Sequence, residues 1–81
     1  MKKAEIKAAF LQEIHRIAPD LEADSVSDGD HLQEDLELDS MDILNLVAAL
    51  EVRFGVSIAE PDYTRIATPE MAVEFLSSAL S

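Results

Sequence analysis

With 81 residues the chain has room for one small domain and one modest core, and without cysteine it has neither a disulfide framework nor a thiolate zinc site to reinforce that core. Hydrophobic residues make up 48% of it, enough to fold, but only three Phe and one Tyr are present, so the core must be mostly aliphatic and built from well-packed helices. Seventeen Asp plus Glu against six Lys plus Arg give a net charge of −11, which disfavours nucleic acid and anionic membranes as partners because both call for positive charge.

Met1–Lys7 is basic but has no uninterrupted apolar run after it, so it is not a signal peptide. No run elsewhere approaches membrane-spanning length, and a cytoplasmic protein without membrane insertion is expected. Ile6, Phe10, Ile14 and Ile17 step by four, four and three residues, which predicts a helix over 3–17 with Ala9 and Glu13 flanking its apolar face. Ala18–Pro19 ends it, since the residue before proline is pushed out of the helical region.

Residues 19–39 form a long connection. Ser27–Asp28–Gly29–Asp30 is turn chemistry, while Leu21, Val26, Leu32, Leu36 and Leu38 recur through the loop and should pin it to the helices. Asp20, Glu22, Asp24 and Asp28 fall at positions one, three, five and nine of a calcium-binding loop. Ser25 then replaces the turn glycine and His31 the bidentate glutamate, so no metal ligand is assigned. His15 and His31 are too far apart for a local metal pair, and each reads as a surface histidine. No Lys or Arg lies between Arg16 and Arg53, whereas ten Asp or Glu fall between Asp20 and Asp42. This side should attract basic partners, or simply keep the protein soluble.

Asp39 is a good N-cap for a helix starting at Ser40, and Asp42 adds a second carboxylate at the same positive helix end. Ile43, Leu46, Val47, Leu50 and Phe54 share one face, and Gly55 can take the left-handed conformation that stops the helix. Met41, Leu44, Ala48 and Val52 cluster on nearly the opposite side, with Asn45 between the stripes. A short chain cannot cover both sides, so this second stripe is expected to be exposed and to mark a contact site. Further on, Val56–Ser57–Ile58 is too short for a sheet and should tuck Val56 and Ile58 inward. Pro61 can start a short helix reaching Arg65 or Ile66. Thr68–Pro69–Glu70 starts the last helix, Pro69 to about Ala79, with Val73, Leu76 and Leu80 as its buried face and Ala72 and Phe75 in support. The expectation is an all-α four-helix bundle of three longer helices and one short one. A long loop joins helices one and two, all within one domain over 1–81.

A serine needs a base to become a nucleophile, and around Ser40 the sequence offers only carboxylates and Met41. Pairs such as Glu34–Asp35 or Asp39–Asp42 lack the burial that would separate an acid from a base. No catalytic residue is assigned. By local chemistry alone, Ser40 is a routine first-turn polar residue.

Asp39–Ser40–Met41, followed by Leu46–Val47–Ala48–Ala49–Leu50–Glu51 and Phe54, resembles the acyl carrier protein family, whose mark is Asp-Ser-Leu or Asp-Ser-Met at the start of the second helix. The resemblance runs from about Leu32 to Leu76 and takes in Ile58, Ile66 and the Thr68 helix start. It implies that Ser40 receives a 4′-phosphopantetheine arm and that acyl groups travel on the arm as thioesters; the apolar strip Met41, Leu44 and Ala48 and the carboxylates that border it, Asp39, Asp42 and Glu51, would then face partner enzymes. Those partners would be a phosphopantetheinyl transferase and acyl-handling enzymes with basic docking surfaces, in fatty-acid or a specialised lipid or polyketide-type biosynthesis. A monomer is expected. The chain departs from the family at Glu37, where Gly is usual, and at Asn45, Val52 and Arg53, which are often acidic. An acidic helical interaction domain without a prosthetic group is the alternative.

Overall fold

Each helix starts and stops where its own residues satisfy the loose backbone groups of a helix end. A computed structural model describes all of residues 1–81. Helix α1 spans Lys3–Ile17, and Glu5 Oε1 accepts from the Lys2 N–H at 2.9 Å across its first turn. Helix α2 spans Ser40–Phe54. Asp39 and Asp42 cap each other there: Asp42 N–H donates to Asp39 Oδ1 at 2.8 Å, and Asp39 N–H to Asp42 Oδ2 at 3.2 Å. Gly55, at φ 66°, ends α2 with its N–H on the Glu51 carbonyl. A 3₁₀ helix covers Glu60–Ile66. Helix α3 spans Pro69–Ala79, with Thr68 Oγ1 accepting from Met71 N–H at 3.2 Å. A single 3₁₀ turn, Ala23–Ser25, interrupts the long loop and is not foreshadowed by its sequence. The architecture is all-helical, three longer helices and one shorter, and no helix is long and apolar enough to cross a membrane.

Helix α1 packs against both α2 and α3, and α3 also covers the 3₁₀ helix. A helix held between two neighbours needs a wider apolar face than one stripe supplies. This accounts for Leu11, which is buried beside the expected Ile6, Phe10 and Ile14. Leu46, Val47, Leu50 and Phe54 bury from α2, with Ile43 half-buried. Ile58 is buried and Val56 half-buried. Leu80 departs from expectation. It follows the last helical residue, at the cap position, and is exposed. Phe75 and Ala72 join Val73 and Leu76 on the buried face instead.

The loop is anchored as its leucines suggest. Val26, Leu32 and Leu38 are buried, and Leu21 and Leu36 half-buried. Two backbone hydrogen bonds tie it to the second half of the chain: Leu32 N–H to the Ala67 carbonyl at 2.9 Å, and Glu70 N–H to the Asp28 carbonyl at 3.0 Å. Asp28 also pairs with Lys7 at 2.6 Å. His31 is more than a surface residue: half-buried, its ring Nδ1 accepts from the N–H groups of Gln33 and Glu34, both at 3.3 Å, and its own N–H donates to Asp35 Oδ2 at 2.7 Å. His15, in contrast, is exposed and donates from Nδ1 to the Leu21 carbonyl.

One ion pair joins α1 to α2 through the interior. Glu13 is only 3% exposed, and its Oε2 accepts from Arg53 Nη1 at 2.6 Å, while its Oε1 faces Arg16 Nη1 at 3.3 Å. Arg53 Nη2 donates in addition to Gln12 Oε1 at 2.8 Å. Glu13 lies on the α1 apolar stripe by spacing, and it can be buried there because a charged partner from α2 reaches it.

Candidate functional site

Ser40 occupies the first position of α2 and is exposed. Glu37 turns the chain into that helix at φ 60°, in the left-handed region that glycine enters without strain. The reciprocal Asp39–Asp42 cap then fixes where the helix begins, so the serine is presented on a rigid first turn.

Ser40 lines the wall of a cleft of about 530 Å³. Loop residues His31, Leu32 and Gln33 form one side, Ile43 and Leu44 of α2 another, and Glu60, Tyr63, Thr64, Ile66 and Ala67 the third. Its hydrophobic lining is Leu32, Ile43, Leu44, Tyr63, Ile66 and Ala67, and its polar groups come from His31, Gln33, Ser40, Glu60 and Thr64. The loop and the 3₁₀ helix are joined across it by the Leu32–Ala67 hydrogen bond. Sequence spacing gives no hint that His31 shares a cleft with Ser40, because the loop's return path is set by long-range contacts. His31 Nδ1 is occupied by backbone N–H groups, and no hydrogen bond links its ring to Ser40. The arrangement is not that of an activated serine.

The acidic loop does not gather into a metal site. Asp30 Oδ2 accepts from Ser27 N–H and Asp35 Oδ2 from His31 N–H, which serves the loop's own turns, while Asp28 pairs with Lys7 and ties the loop to α1. No group of three or more His, Asp or Glu side chains is placed to hold a cation.

The second stripe of α2 lies open. Met41, Leu44, Ala48 and Val52 are all exposed, Val52 to 87%. Asp39 is exposed and Asp42 half-buried beside Ser40. Glu51 is half-buried, and its Oε2 accepts from Ile58 N–H at 2.9 Å, holding the chain as it leaves α2.

The structure thus presents an exposed serine on a capped helix start, with a cleft alongside and an uncovered apolar stripe behind it. The family model described as a phosphopantetheine attachment site matches residues 5–76, and the chain belongs to the acyl carrier protein family, with 4′-phosphopantetheine as its cofactor. It is 35% identical over 70 residues to the acyl carrier protein of Rubrobacter xylanophilus, covering 83% of this chain and 86% of that one. It is 34% identical over 70 residues to the polyketide-8 synthase acyl carrier protein 2 of Streptomyces avermitilis, covering 86% and 80% of the two chains. Among solved structures, the acyl carrier protein of Enterococcus faecalis superposes with a TM-score of 0.75 at 31% identity, covering 98% of this chain and 99% of that one.

Proposed function

We propose that Ser40 is the residue that takes the 4′-phosphopantetheine arm, and that residues 1–81 act as one carrier domain that catalyses nothing itself. The observation that carries this is the exposed serine on the capped first turn of α2, inside the matched family region and open to the cleft. The arm, when attached, supplies a terminal thiol on which acyl groups are held as thioesters.

The residues present fit such an attachment. The N–H groups at the start of α2 and the positive end of its dipole favour a phosphate ester on Ser40. Asp39 and Asp42 oppose it by like-charge repulsion, which turns the phosphate outward, towards solvent and an incoming enzyme. The cleft offers Leu32, Ile43 and Ile66 as shelter for an apolar cargo, while its polar rim keeps the mouth wet.

Recognition falls to Asp39, Met41, Asp42, Leu44, Ala48 and Glu51. The carboxylates steer a basic partner surface and the exposed apolar side chains slow its release. A phosphopantetheinyl transferase and acyl-handling enzymes are the partners on this reading, the chain being a cytoplasmic monomer. Both an acyl carrier protein and a polyketide synthase carrier are among its relatives, which supports acyl cargo of fatty-acid or polyketide type.

The test is intact mass after incubation with coenzyme A and a phosphopantetheinyl transferase. One arm should be gained on Ser40, and Ser40→Ala, which retains the Asp39 cap, should fold and gain none. A mass gain that survives in the alanine variant would place the arm elsewhere.

A further inference from the structure

The far end of α2 carries a feature that the acidic end does not share. Glu13, Arg16, Ala48, Ala49, Val52 and Arg53 line a second groove, of about 490 Å³, between the C-terminal halves of α1 and α2. Lys3, Lys7 and Arg65 each pair with a carboxylate of their own. Here two guanidinium groups share the single carboxylate of Glu13, which is buried beneath them. One positive charge is left over and faces outward, in a chain whose net charge is −11. Each guanidinium has five N–H donors. Arg53 uses two of them and Arg16 one, so donors remain for an incoming carboxylate. Glu22 lies on the other side of Arg16 without forming an ion pair with it.

A lone exposed valine is ordinary on a protein surface. Val52 is different in its company: Ala48, one turn earlier on the same face, continues the apolar strip, and the two arginines flank it. Asp42 and Arg53 are eleven positions apart on α2, roughly 16 Å along the axis. The face of α2 therefore runs from Asp39 and Asp42 at one end, along an apolar strip, to Arg53 at the other, where the half-buried Glu51 carboxylate is turned to the Ile58 N–H.

We infer that this groove seats an acidic–apolar element of a carrier-using enzyme: a carboxylate set against Arg16 and Arg53, beside an apolar side chain on Val52. The inference rests on the carrier reading for what that enzyme does. A uniformly acidic helix can be read by a basic surface in either direction. Opposite charges at its two ends allow only one, because the reversed pose sets acid on acid and base on base. Docking in that one direction brings Ser40 to the enzyme's active site. It also selects against partners whose docking surface is basic throughout.

Two designed helical peptides of equal length, one Glu/Leu and one Lys/Leu, test this against the ¹⁵N-labelled full chain by amide shift mapping. The Glu/Leu peptide should shift the amides of Ala48, Ala49, Val52 and Arg53, despite the protein's net negative charge, and added salt should weaken it. Arg16→Gln and Val52→Ser, both at exposed positions, should keep the parent melting temperature and each weaken that binding about fivefold, while the Lys/Leu peptide still shifts Asp39, Met41 and Asp42. The inference is overturned if the Glu/Leu peptide shifts nothing in the groove, or binds both variants as well as the parent. A concentration-dependent dimer in sedimentation, with shifts on the same groove residues, also overturns it, the occupant then being a second copy of the chain. Loading of Ser40 is read separately, by mass, so the groove and the carrier reading can fail independently.

Discussion

Removing the more exposed member of the Glu13–Arg53 pair should do more harm than neutralising the buried one. Arg53→Ala leaves a carboxylate that is 3% exposed with only Arg16 at 3.3 Å for company. Stranding one partner of a buried ion pair costs about 3–5 kcal/mol. The Arg53 side chain is 37% exposed and Arg16 stays in place, so a cost at or below the bottom of that range is expected, about 2–3 kcal/mol. For a domain of this size that corresponds to a fall in Tm of roughly 10–20 °C. Glu13→Gln has a different outcome. The amide is neutral, can still accept a hydrogen bond, and leaves an arginine that can rehydrate, for a loss of about 1 kcal/mol. The double variant Glu13→Gln/Arg53→Ala strands no charge and should be more stable than Arg53→Ala alone. Urea unfolding of the parent and the three variants, with shared slopes, measures the cycle. The reasoning is refuted if Glu13→Gln is the more damaging single change, or if Arg53→Ala stays within about 0.5 kcal/mol of the parent.

Glu37→Gly should stabilise the protein by about 0.5–1 kcal/mol in urea unfolding, since relief of a left-handed non-glycine backbone exceeds the extra chain entropy of glycine; a loss would show that the Glu37 side chain makes a stabilising contact. Leu46→Glu buries an unpaired charge at a position with 0% exposure and should unfold the domain. Leu44→Glu, at 48% exposure, should leave Tm nearly unchanged while slowing arm transfer to Ser40, and equal destabilisation by both would show that the Leu44 stripe is core. Raising ionic strength should raise Tm, because ten carboxylates and no Lys or Arg lie between Asp20 and Asp42; an unchanged Tm would mean that their mutual repulsion is negligible.

Much of the fold is legible in the chain because its signals are local. The Asp39 cap, the Gly55 stop and the Thr68–Pro69 start are each set within a single turn of backbone, and all three helix boundaries fall where these residues put them. The two stripes of α2 follow from periodicity, and so does the exposure of the second. What stays hidden depends on partners distant in sequence. Glu13 sits on the core stripe of α1 by spacing, but only the position of Arg53 reveals that it is buried with its charge. Arg53 in turn reads as a mere departure from a usually acidic position until Glu13 is seen beneath it. His31 enters the cleft of Ser40 for a similar reason, its loop being drawn there by contacts with Ala67. Leu80 marks the opposite failure: periodicity continues past the point where the helix, and the packing surface, have stopped.

The two hydrogen bonds that hold the long loop also set an order of assembly. Leu32 and Asp28, both upstream of Ser40, find their partners in Ala67, which closes the 3₁₀ helix, and in Glu70, on the first turn of α3. The capping residues of α2 are local, but the loop that leads into them cannot settle until residues from the other end of the chain have docked. Forming such a contact requires the closure of a long intervening segment, which places it late among the events of folding. The position of Ser40 beside its cleft is thus a report on chain made well after it: a nascent or truncated form that stops before residue 60 contains the serine and its cap, yet it lacks the Glu60–Ala67 wall against which they are presented.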